Sequence, residues 1–267
     1  FDIGYTDGIR DDVRAVLAQA AGGAGARVDV GRLAGSLGRP VNTEFAWQAY
    51  HCLENHDLVL DMDDHRAPRI PRLADSANPR SWYARSRSRV ATGVLLTAPG
   101  VPMLFMGEEF LEDKLWSDSP DRTDHLIWWD GARGEDPAMA DFLRYTRDLI
   151  HLRRDQPALR AEPITVYPAD QANRVLAYQR WVPGSGRDVV VVVSLNESTL
   201  WSYQLGFPRP GRWREIFNSD YYDNFPNPWV AGNNGGVTAD GPALHGFGQS
   251  ASLTIPANSV LIFVVEG

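Results

Sequence analysis

The sequence contains very little cysteine, since Cys52 is the only one in 267 residues. A single thiol excludes an internal disulfide framework and any metal site built from several cysteines. The histidines His65, His125, His151 and His245 also lack the spacing of metal ligands. We therefore predict neither a metal site nor a cofactor, and we expect Cys52 to be a small buried side chain.

Long apolar runs and an excess of basic residues are absent as well. No stretch approaches the roughly 20 apolar residues of a membrane-spanning helix, so we predict no membrane contact. The net charge of −8 and a pI near 5.2 oppose a general affinity for nucleic acid, because such binding needs a basic face. The clustered arginines Arg80, Arg85, Arg87 and Arg89 are instead expected on a solvated helix, paired to carboxylates.

Two apolar runs, residues 47–53 and 100–106, are each followed by acidic side chains. The residues after the first run are Glu54, Asn55, His56 and Asp57, and those after the second include Glu108 and Glu109. Both segments have the form of a buried parallel strand. The carboxyl ends of the strands build the active site of a (β/α)8 barrel, so these polar residues indicate chemistry.

Helical patterns surround the two runs. Asp7 is a suitable N-cap, and the apolar residues after it, Ile9, Val13, Val16 and Leu17, share one helical face. A second helix is predicted to begin at Asp136 and Pro137 and to end before Pro157. These helices are of the kind that cover a barrel.

Short β-branched or aromatic runs follow from about residue 164. They lie at 175–182, 189–195, 213–217, 251–255 and 260–265 and are separated by Gly, Pro, Asn and Asp. This pattern is typical of an antiparallel sandwich. We place the domain boundary near residue 160 and interpret residues 218–241 as a polar loop over the sandwich.

The two acid-bearing segments resemble the α-amylase family, glycoside hydrolase family 13. In that family Asn-His-Asp ends the seventh barrel strand, and Gly-x-Pro-x-x-x-x-Gly-Glu-Glu covers the eighth. Residues 1–7 are similar to the sixth strand of the family's 1,4-α-glucan branching enzymes. The resemblance extends through the β-rich part and implies strands six to eight of a (β/α)8 TIM barrel in residues 1–160, followed by an all-β sandwich domain in 161–267.

The resemblance also implies what the polar residues do. Asp57 matches the carboxylate that stabilises the transition state, and His56 matches a residue that hydrogen-bonds sugar hydroxyls. Asn55 would orient its neighbours. The competing interpretation of the three is a structural cap for the following helix.

The acids after the second run have two interpretations. Glu108 and Glu109 could bind sugar, or one of them could pair with an arginine of residues 66–72. Trp116, Trp128 and Trp129 are candidates for sugar stacking or for packing, and packing is favoured. The aromatic residues of 218–241 have sugar contact as a minor alternative.

The resemblance predicts an enzyme acting on α-1,4-glucan, such as glycogen, starch or maltooligosaccharide. The leading interpretation is a branching enzyme of glycogen biosynthesis, located in the cytoplasm. An amylolytic hydrolase is the alternative, because many bacterial branching enzymes have Ser where Asn55 stands. A third reading is a non-catalytic glucan-binding or assembly module.

The family's nucleophile and general acid come from strands four and five, which have no counterpart in this sequence. The sequence also opens within a strand-like pattern at Phe1. We therefore expect a fragment whose N-terminal barrel half lies upstream or in a separate chain, and which is inactive alone.

Overall fold

The computed structural model describes residues 3–38, 43–61 and 67–266. Phe1 and Asp2 of the strand-six resemblance, as well as His65 and Arg66, lie outside the described residues. None of the described helices is both long enough and apolar enough to cross a membrane.

The helices and strands follow one another in an α/β first part and a β-rich second part. In the first part they are β1 (Gly4–Tyr5), α1 (Gly8–Ala20), α2 (Gly31–Leu37), β2 (Ala49–His51), α3 (Ile70–Ala74), α4 (Trp82–Thr97), β3 (Val101–Pro102), α5 (Pro137–Asp155) and α6 (Pro157–Arg160). In the second part they are β4 (Ile164–Val166), β5 (Val175–Trp181), β6 (Asp188–Ser194), β7 (Leu200–Phe207), β8 (Gly211–Asn218), β9 (Gly236–Ala239), β10 (Gln249–Ile255) and β11 (Ser259–Val265).

The first part contains a small parallel sheet in the order β1-β2-β3. Tyr5 pairs with Tyr50, which pairs with Val101 on the other side. Both apolar runs do form parallel strands, but β2 and β3 are shorter than the runs 47–53 and 100–106. The apolar run nevertheless stays buried beyond the end of β2, through Cys52 and Leu53.

A glycine lets β3 approach β2 closely. Gly100 has φ +98°, which side chains rarely adopt, and a Cβ there would lie 2.6 Å from Nε2 of His51 and 2.8 Å from the carbonyl oxygen of Ala49. His51 is buried, as expected, and its Nδ1 lies 2.7 Å from Oγ1 of Thr6. Burial lowers the pKa of His51 below its usual value, because the charged imidazolium loses its hydration.

The predicted N-terminal cap of α1 differs from the structure. The apolar face of this helix is buried as expected, but Asp7 makes no side-chain hydrogen bond to the helix N-terminus. Its carboxylate instead pairs with Arg10 at 2.9 Å. The backbone of Asp7 is already helical, whereas a capping side chain reaches the helix amides from an extended backbone.

The arginine-rich helix α4 is buried, so the prediction of a solvated helix was wrong. Arg87 and Arg89 are almost fully covered, because α4 lies between the other helices and the β-rich part. The predicted pairing with carboxylates is confirmed. Arg85 and Arg89 both bind Asp223, at 3.0 and 3.1 Å, and Arg87 binds Glu197 at 2.7 Å.

The helix predicted from Asp136 is confirmed as α5. The carboxylate of Asp136 accepts a hydrogen bond from the backbone N–H of Ala138 at 2.9 Å, and Pro137 is the first helical residue. Met139, Phe142 and Leu149 are buried on its inner face. This cap satisfies amides that the helix itself leaves unpaired.

The second part contains two antiparallel sheets. One has six strands in the order β4-β5-β6-β11-β8-β9, and the other pairs β7 with β10. The five predicted runs correspond to β5, β6, β8, β10 and β11. The loop assigned to 218–241 was wrong in one part, because it contains β9, which is only four residues long and rich in small side chains.

The central strands β6 and β11 are buried on both faces. Val189, Val191 and Val193 belong to the core shared with the helices, whereas Val190 and Val192 face the core beneath β7 and β10. The two-residue repeat of a strand produces this division. A continuous apolar core therefore joins the helices to the six-stranded sheet.

Candidate active site at the end of β2

Asn55, His56 and Asp57 lie just beyond the carboxyl end of β2. Oδ1 of Asn55 accepts a hydrogen bond from the backbone N–H of Leu58 at 2.8 Å, and its carbonyl accepts one from Val59 at 3.2 Å. Asn55 therefore closes the turn that carries the two residues after it.

A tyrosine from the neighbouring strand fixes the other end of the Asn55 amide. Nδ2 of Asn55 donates to the Tyr5 hydroxyl at 2.6 Å, which also lies 2.8 Å from Sγ of Cys52 and accepts from Arg10 at 3.0 Å. Burial and the contact with Cys52 raise the pKa of Tyr5 to about 12. Tyr5 therefore keeps its proton and holds Asn55 against β1.

The side chains of His56 and Asp57 point away from the protein interior. They are 63% and 82% exposed, and Nε2 of His56 lies 3.3 Å from Oδ1 of Asp57. The ring of Trp116 meets His56 edge-on, with centroids 6.0 Å apart. The backbone of Trp116 is paired to the segment that follows the site, with its N–H donating to Val59 at 2.9 Å.

A buried ion pair lies beneath this turn. Glu54 binds Nε of Arg69 with one carboxylate oxygen and accepts a hydrogen bond from the backbone N–H of Ile70 with the other, at 2.5 Å. Arg69 also donates to the carbonyls of Met106 and Lys114, at 2.9 and 3.2 Å. One guanidinium thus ties the end of β2 to the segment after β3.

Glu108 is a second buried carboxyl in this region. It accepts a hydrogen bond from the backbone N–H of Phe105 at 3.1 Å, whereas Oε1 has no hydrogen-bond partner among the described residues. Burial, with the charge of Glu54 next in size, raises the pKa of Glu108 well above its usual value. Burial therefore favours the protonated form of Glu108 more than it would be favoured in an exposed glutamate.

Glu109 lies elsewhere. It borders a groove with Met106 and with Leu143 and Ile150 of α5. Neither Glu109 nor Glu108 has a described hydrogen bond or ion pair with Asn55, His56 or Asp57, and Arg69 pairs with Glu54 rather than with either of them. The prediction that Glu108 or Glu109 binds sugar stays a prediction, which their positions in this chain do not favour.

The tryptophans separate in the same way. Trp116 lies beside His56, whereas Trp129 packs on Phe110 with ring centroids 5.4 Å apart.

Across residues 3–38, 43–61 and 67–266, no group of three or more His, Cys, Asp or Glu side chains is arranged to hold a metal ion.

Sequence reasoning did not find Tyr5 or Arg69. The aromatic in the short β1 pattern was a weak signal for Tyr5. Arg69 was one of several arginines in residues 66–72, and only the fold shows which one meets Glu54.

Comparison with known proteins supports the resemblance to the α-amylase family. Residues 167–266 match the sequence family of the α-amylase C-terminal all-β domain. A 1,4-alpha-glucan branching enzyme of Xanthomonas campestris is 31% identical over 192 residues, which cover 70% of this chain and 25% of that protein. The chain belongs to the α-amylase superfamily.

A second relative is a 1,4-alpha-glucan branching enzyme of Aromatoleum aromaticum. It is 31% identical over 229 residues, covering 82% of this chain and 34% of that protein. The chain thus spans about a quarter to a third of the length of these two curated relatives.

Two solved structures share its fold. The α-amylase from H. orenii has a TM-score of 0.60 at 20% identity and covers 100% of this chain and 49% of that one. A multi-modular glycogen-degrading pneumococcal virulence factor has a TM-score of 0.66 at 16% identity, over 99% and 31% of the two chains.

Proposed function

We propose that this chain is the C-terminal portion of a retaining 1,4-α-glucan branching enzyme, which cleaves α-1,4 and forms α-1,6 linkages. The names of the relatives over 70% and 82% of the chain support this proposal. In it, β1, β2 and β3 are strands six to eight of a (β/α)8 barrel within residues 1–160, and residues 161–267 are the sandwich domain.

The observation that carries the proposal is the division of labour among three residues. Asn55 takes the structural role, since it holds the turn through Leu58 and Val59. Asp57 makes no described hydrogen bond to a backbone amide, and its carboxylate is 82% exposed beside His56. His56 and Asp57 thus form a polar pair that makes none of the described hydrogen bonds holding the turn. Polar residues at the carboxyl end of a parallel strand are typical of barrel active sites.

The proposed chemistry assigns Asp57 a role that depends on its charge. Cleavage of a glycosidic bond passes through an oxocarbenium-like transition state. A carboxylate fixed beside that developing positive charge stabilises the transition state more than the ground state. In our proposal Asp57 does this, His56 donates to sugar hydroxyls, and Trp116 limits the movement of the imidazole.

The attacking carboxylate and the general acid must come from outside this site. A retaining enzyme needs the two about 5 Å apart across the scissile bond. In the resembled family they belong to strands four and five, for which the three described parallel strands offer no counterpart. We therefore propose that the 267-residue chain alone has no turnover.

An amylolytic hydrolase is the second candidate, and one residue favours it. Asn55 stands where many bacterial branching enzymes have Ser, and the shorter serine could not make the hydrogen bond that Nδ2 of Asn55 donates to the Tyr5 hydroxyl in the same way. Water and a glucan hydroxyl can intercept the same glycosyl-enzyme intermediate. The two candidates therefore differ only in the acceptor.

A chimera tests the proposal. This chain would replace the matching C-terminal segment of the Xanthomonas campestris branching enzyme, and amylose would be assayed for new α-1,6 linkages and for new reducing ends. We expect the chimera to branch amylose and the isolated chain to do neither reaction. Net release of reducing ends without branches would select the hydrolase, and turnover by the isolated chain would refute the dependence on strands four and five.

A further inference from the structure

The β-rich part has a cavity of its own, away from the candidate active site. Its volume is about 480 Å³, and it lies between β8 and the loop that leads to β9. This volume is within the range of small-molecule sites in proteins. Its walls include Glu215, Tyr221 and Asn234.

Glu215 is held rigidly at the wall of this cavity. One carboxylate oxygen accepts from Nδ2 of Asn218 at 3.2 Å, and the other accepts from Nδ2 and the backbone N–H of Asn233, at 2.6 and 3.2 Å. Both amides are also anchored elsewhere, on the carbonyls of Ala231 and Thr254. Among the described residues no Lys, Arg or His forms an ion pair with Glu215, so its oxygens are preorganised acceptors without a counter-ion.

A glycine brings the loop onto this carboxylate. A Cβ at Gly232 would lie 3.1 Å from Nδ2 of Asn218 and 3.2 Å from Oε1 of Glu215. These contacts are tighter than ordinary van der Waals separation. With any side chain at residue 232, the Asn218 amide and the Glu215 carboxylate would have to shift by a few tenths of an ångström.

One exposed aromatic ring lines the cavity, and a second exposed ring belongs to a residue next to the lining in the sequence. Tyr221 lines the cavity and is partly exposed, and Trp229, which directly precedes the lining residue Val230, is 89% exposed. The backbone N–H of Trp229 is fixed by Oδ1 of Asn227 at 2.9 Å. Large aromatic rings with one apolar face in water are common where a ligand covers them.

The charge of the lining limits the ligand class. Among the described residues Glu215 is the only acid of the lining and no base lines it, so an anionic ligand would be repelled. A neutral polyol suits the site, because its hydroxyl groups donate to the Glu215 oxygens while its ring packs on an aromatic face. We propose that this cavity is a non-catalytic site for a neutral oligosaccharide.

The test is a titration of the full 267-residue chain with maltoheptaose, followed by calorimetry and tryptophan fluorescence. The choice of an α-glucan probe rests on the proposed function, whereas the cavity does not. We expect Tyr221→Ala and Glu215→Gln each to weaken binding about tenfold, which is the size of one lost aromatic contact or one lost charged hydrogen bond. Tyr221→Phe, which keeps the ring, should stay within about threefold of the unmodified chain.

Two further variants keep the test decisive. Trp229→Ala removes a ring too exposed to matter for folding and should weaken binding several-fold, while Trp201→Ala, an exposed tryptophan of β7, should leave it unchanged. Equal affinity in all five variants would overturn the proposal, as would tighter binding of spermine than of maltoheptaose.

A last variant separates this site from the first. His56→Ala removes a proposed sugar contact of the candidate active site, so it should leave unchanged the maltoheptaose binding that depends on Tyr221 and Glu215. If His56→Ala abolishes binding and the Tyr221 and Glu215 variants do not, the cavity proposal fails and the proposed function survives. If the cavity binds but the chimera has no activity, the reverse holds.

Discussion

The parallel sheet and the six-stranded antiparallel sheet of this protein differ in the length and the burial of their strands. In the parallel sheet the outer strands β1 and β3 have two residues each, and Tyr5 and Val101 are both 41% exposed. In the antiparallel sheet the central strands β6 and β11 have seven residues each and are buried on both faces. The stability of the first sheet is therefore limited by its edges, and that of the second by its core.

The difference coincides with the division of the candidate functional residues between the two sheets. Asn55, His56 and Asp57 lie at the end of the parallel sheet, where side chains are held by a few specific contacts rather than by a surrounding core. The cavity at Glu215 lies at the six-stranded sheet, beside a loop that is anchored by amide hydrogen bonds. The two proposed sites thus depend on different supports, and each can be disturbed separately.

The largest expected contrast is in amide hydrogen exchange. Amides of β6 and β11 should exchange only through global unfolding, because each is paired on both sides inside the core. Those of Tyr5 and Val101 lie in two-residue edge strands and should exchange several orders of magnitude faster through local opening. Mass spectrometry of peptides from the intact chain measures both, and equal protection would refute the comparison.

Breaking the buried ion pair beneath the candidate active site should have the next largest effect. Glu54→Gln leaves the Arg69 charge buried without a carboxylate, which typically costs about 3–5 kcal/mol in the free energy of unfolding. Asp130→Asn is the matched control, because its pair with Arg133 is exposed and such pairs contribute little. Urea denaturation compares the two, and a loss no larger in Glu54→Gln than in the control would contradict a structural role.

A substitution at a glycine tests the packing between the helices and the six-stranded sheet. A Cβ at Gly93 of α4 would lie 2.7 Å from Cγ2 of Val260 and 3.0 Å from the hydroxyl of Tyr145. Gly93→Ala should therefore cost about 1–3 kcal/mol through overpacking. Gly35→Ala in α2, where a Cβ meets no described atom within 4 Å, should instead gain up to about 1 kcal/mol. Stabilisation by both changes would contradict the packing described.

The smallest effect concerns pH. Because burial and the charge of Glu54 raise the pKa of Glu108 in the folded chain, the stabilising contribution is complete below the unfolded pKa and is lost as pH rises through the folded pKa. Glu108→Gln mimics the neutral acid, so its melting temperature should match the unmodified chain near pH 4.5 and exceed it by about a few degrees at pH 8. Glu109→Gln is the control, and parallel pH profiles for all three would contradict the assignment.

Much of the fold follows from pattern. The helix from Asp136 and the runs that became β5, β6, β8, β10 and β11 were predictable, because periodicity and caps act locally. The burial of Arg87 and Arg89 was not, since it depends on Asp223 and Glu197, more than a hundred residues away in the sequence. β9 was missed because its short, small-residue strand is defined by pairing with β8 rather than by its own composition.

The candidate site divides in the same manner. The positions of Asn55, His56 and Asp57 at a strand end followed from an apolar run that stops on polar residues. The support from Tyr5 and Arg69 could not be read from the sequence, because several tyrosines and arginines were equally suitable until the fold selected one of each.

The central claim is that Asp57 acts through its charge rather than through the structure of its turn. The most direct measurement is turnover and melting temperature of the Asp57→Asn chimera on the same preparation, with the exposed carboxylate variant Asp130→Asn as control. We predict a loss of turnover of about a hundredfold to a thousandfold or more, with a melting temperature close to that of the unmodified chimera. A lowered melting temperature with undiminished turnover would contradict the claim and make Asp57 a structural residue.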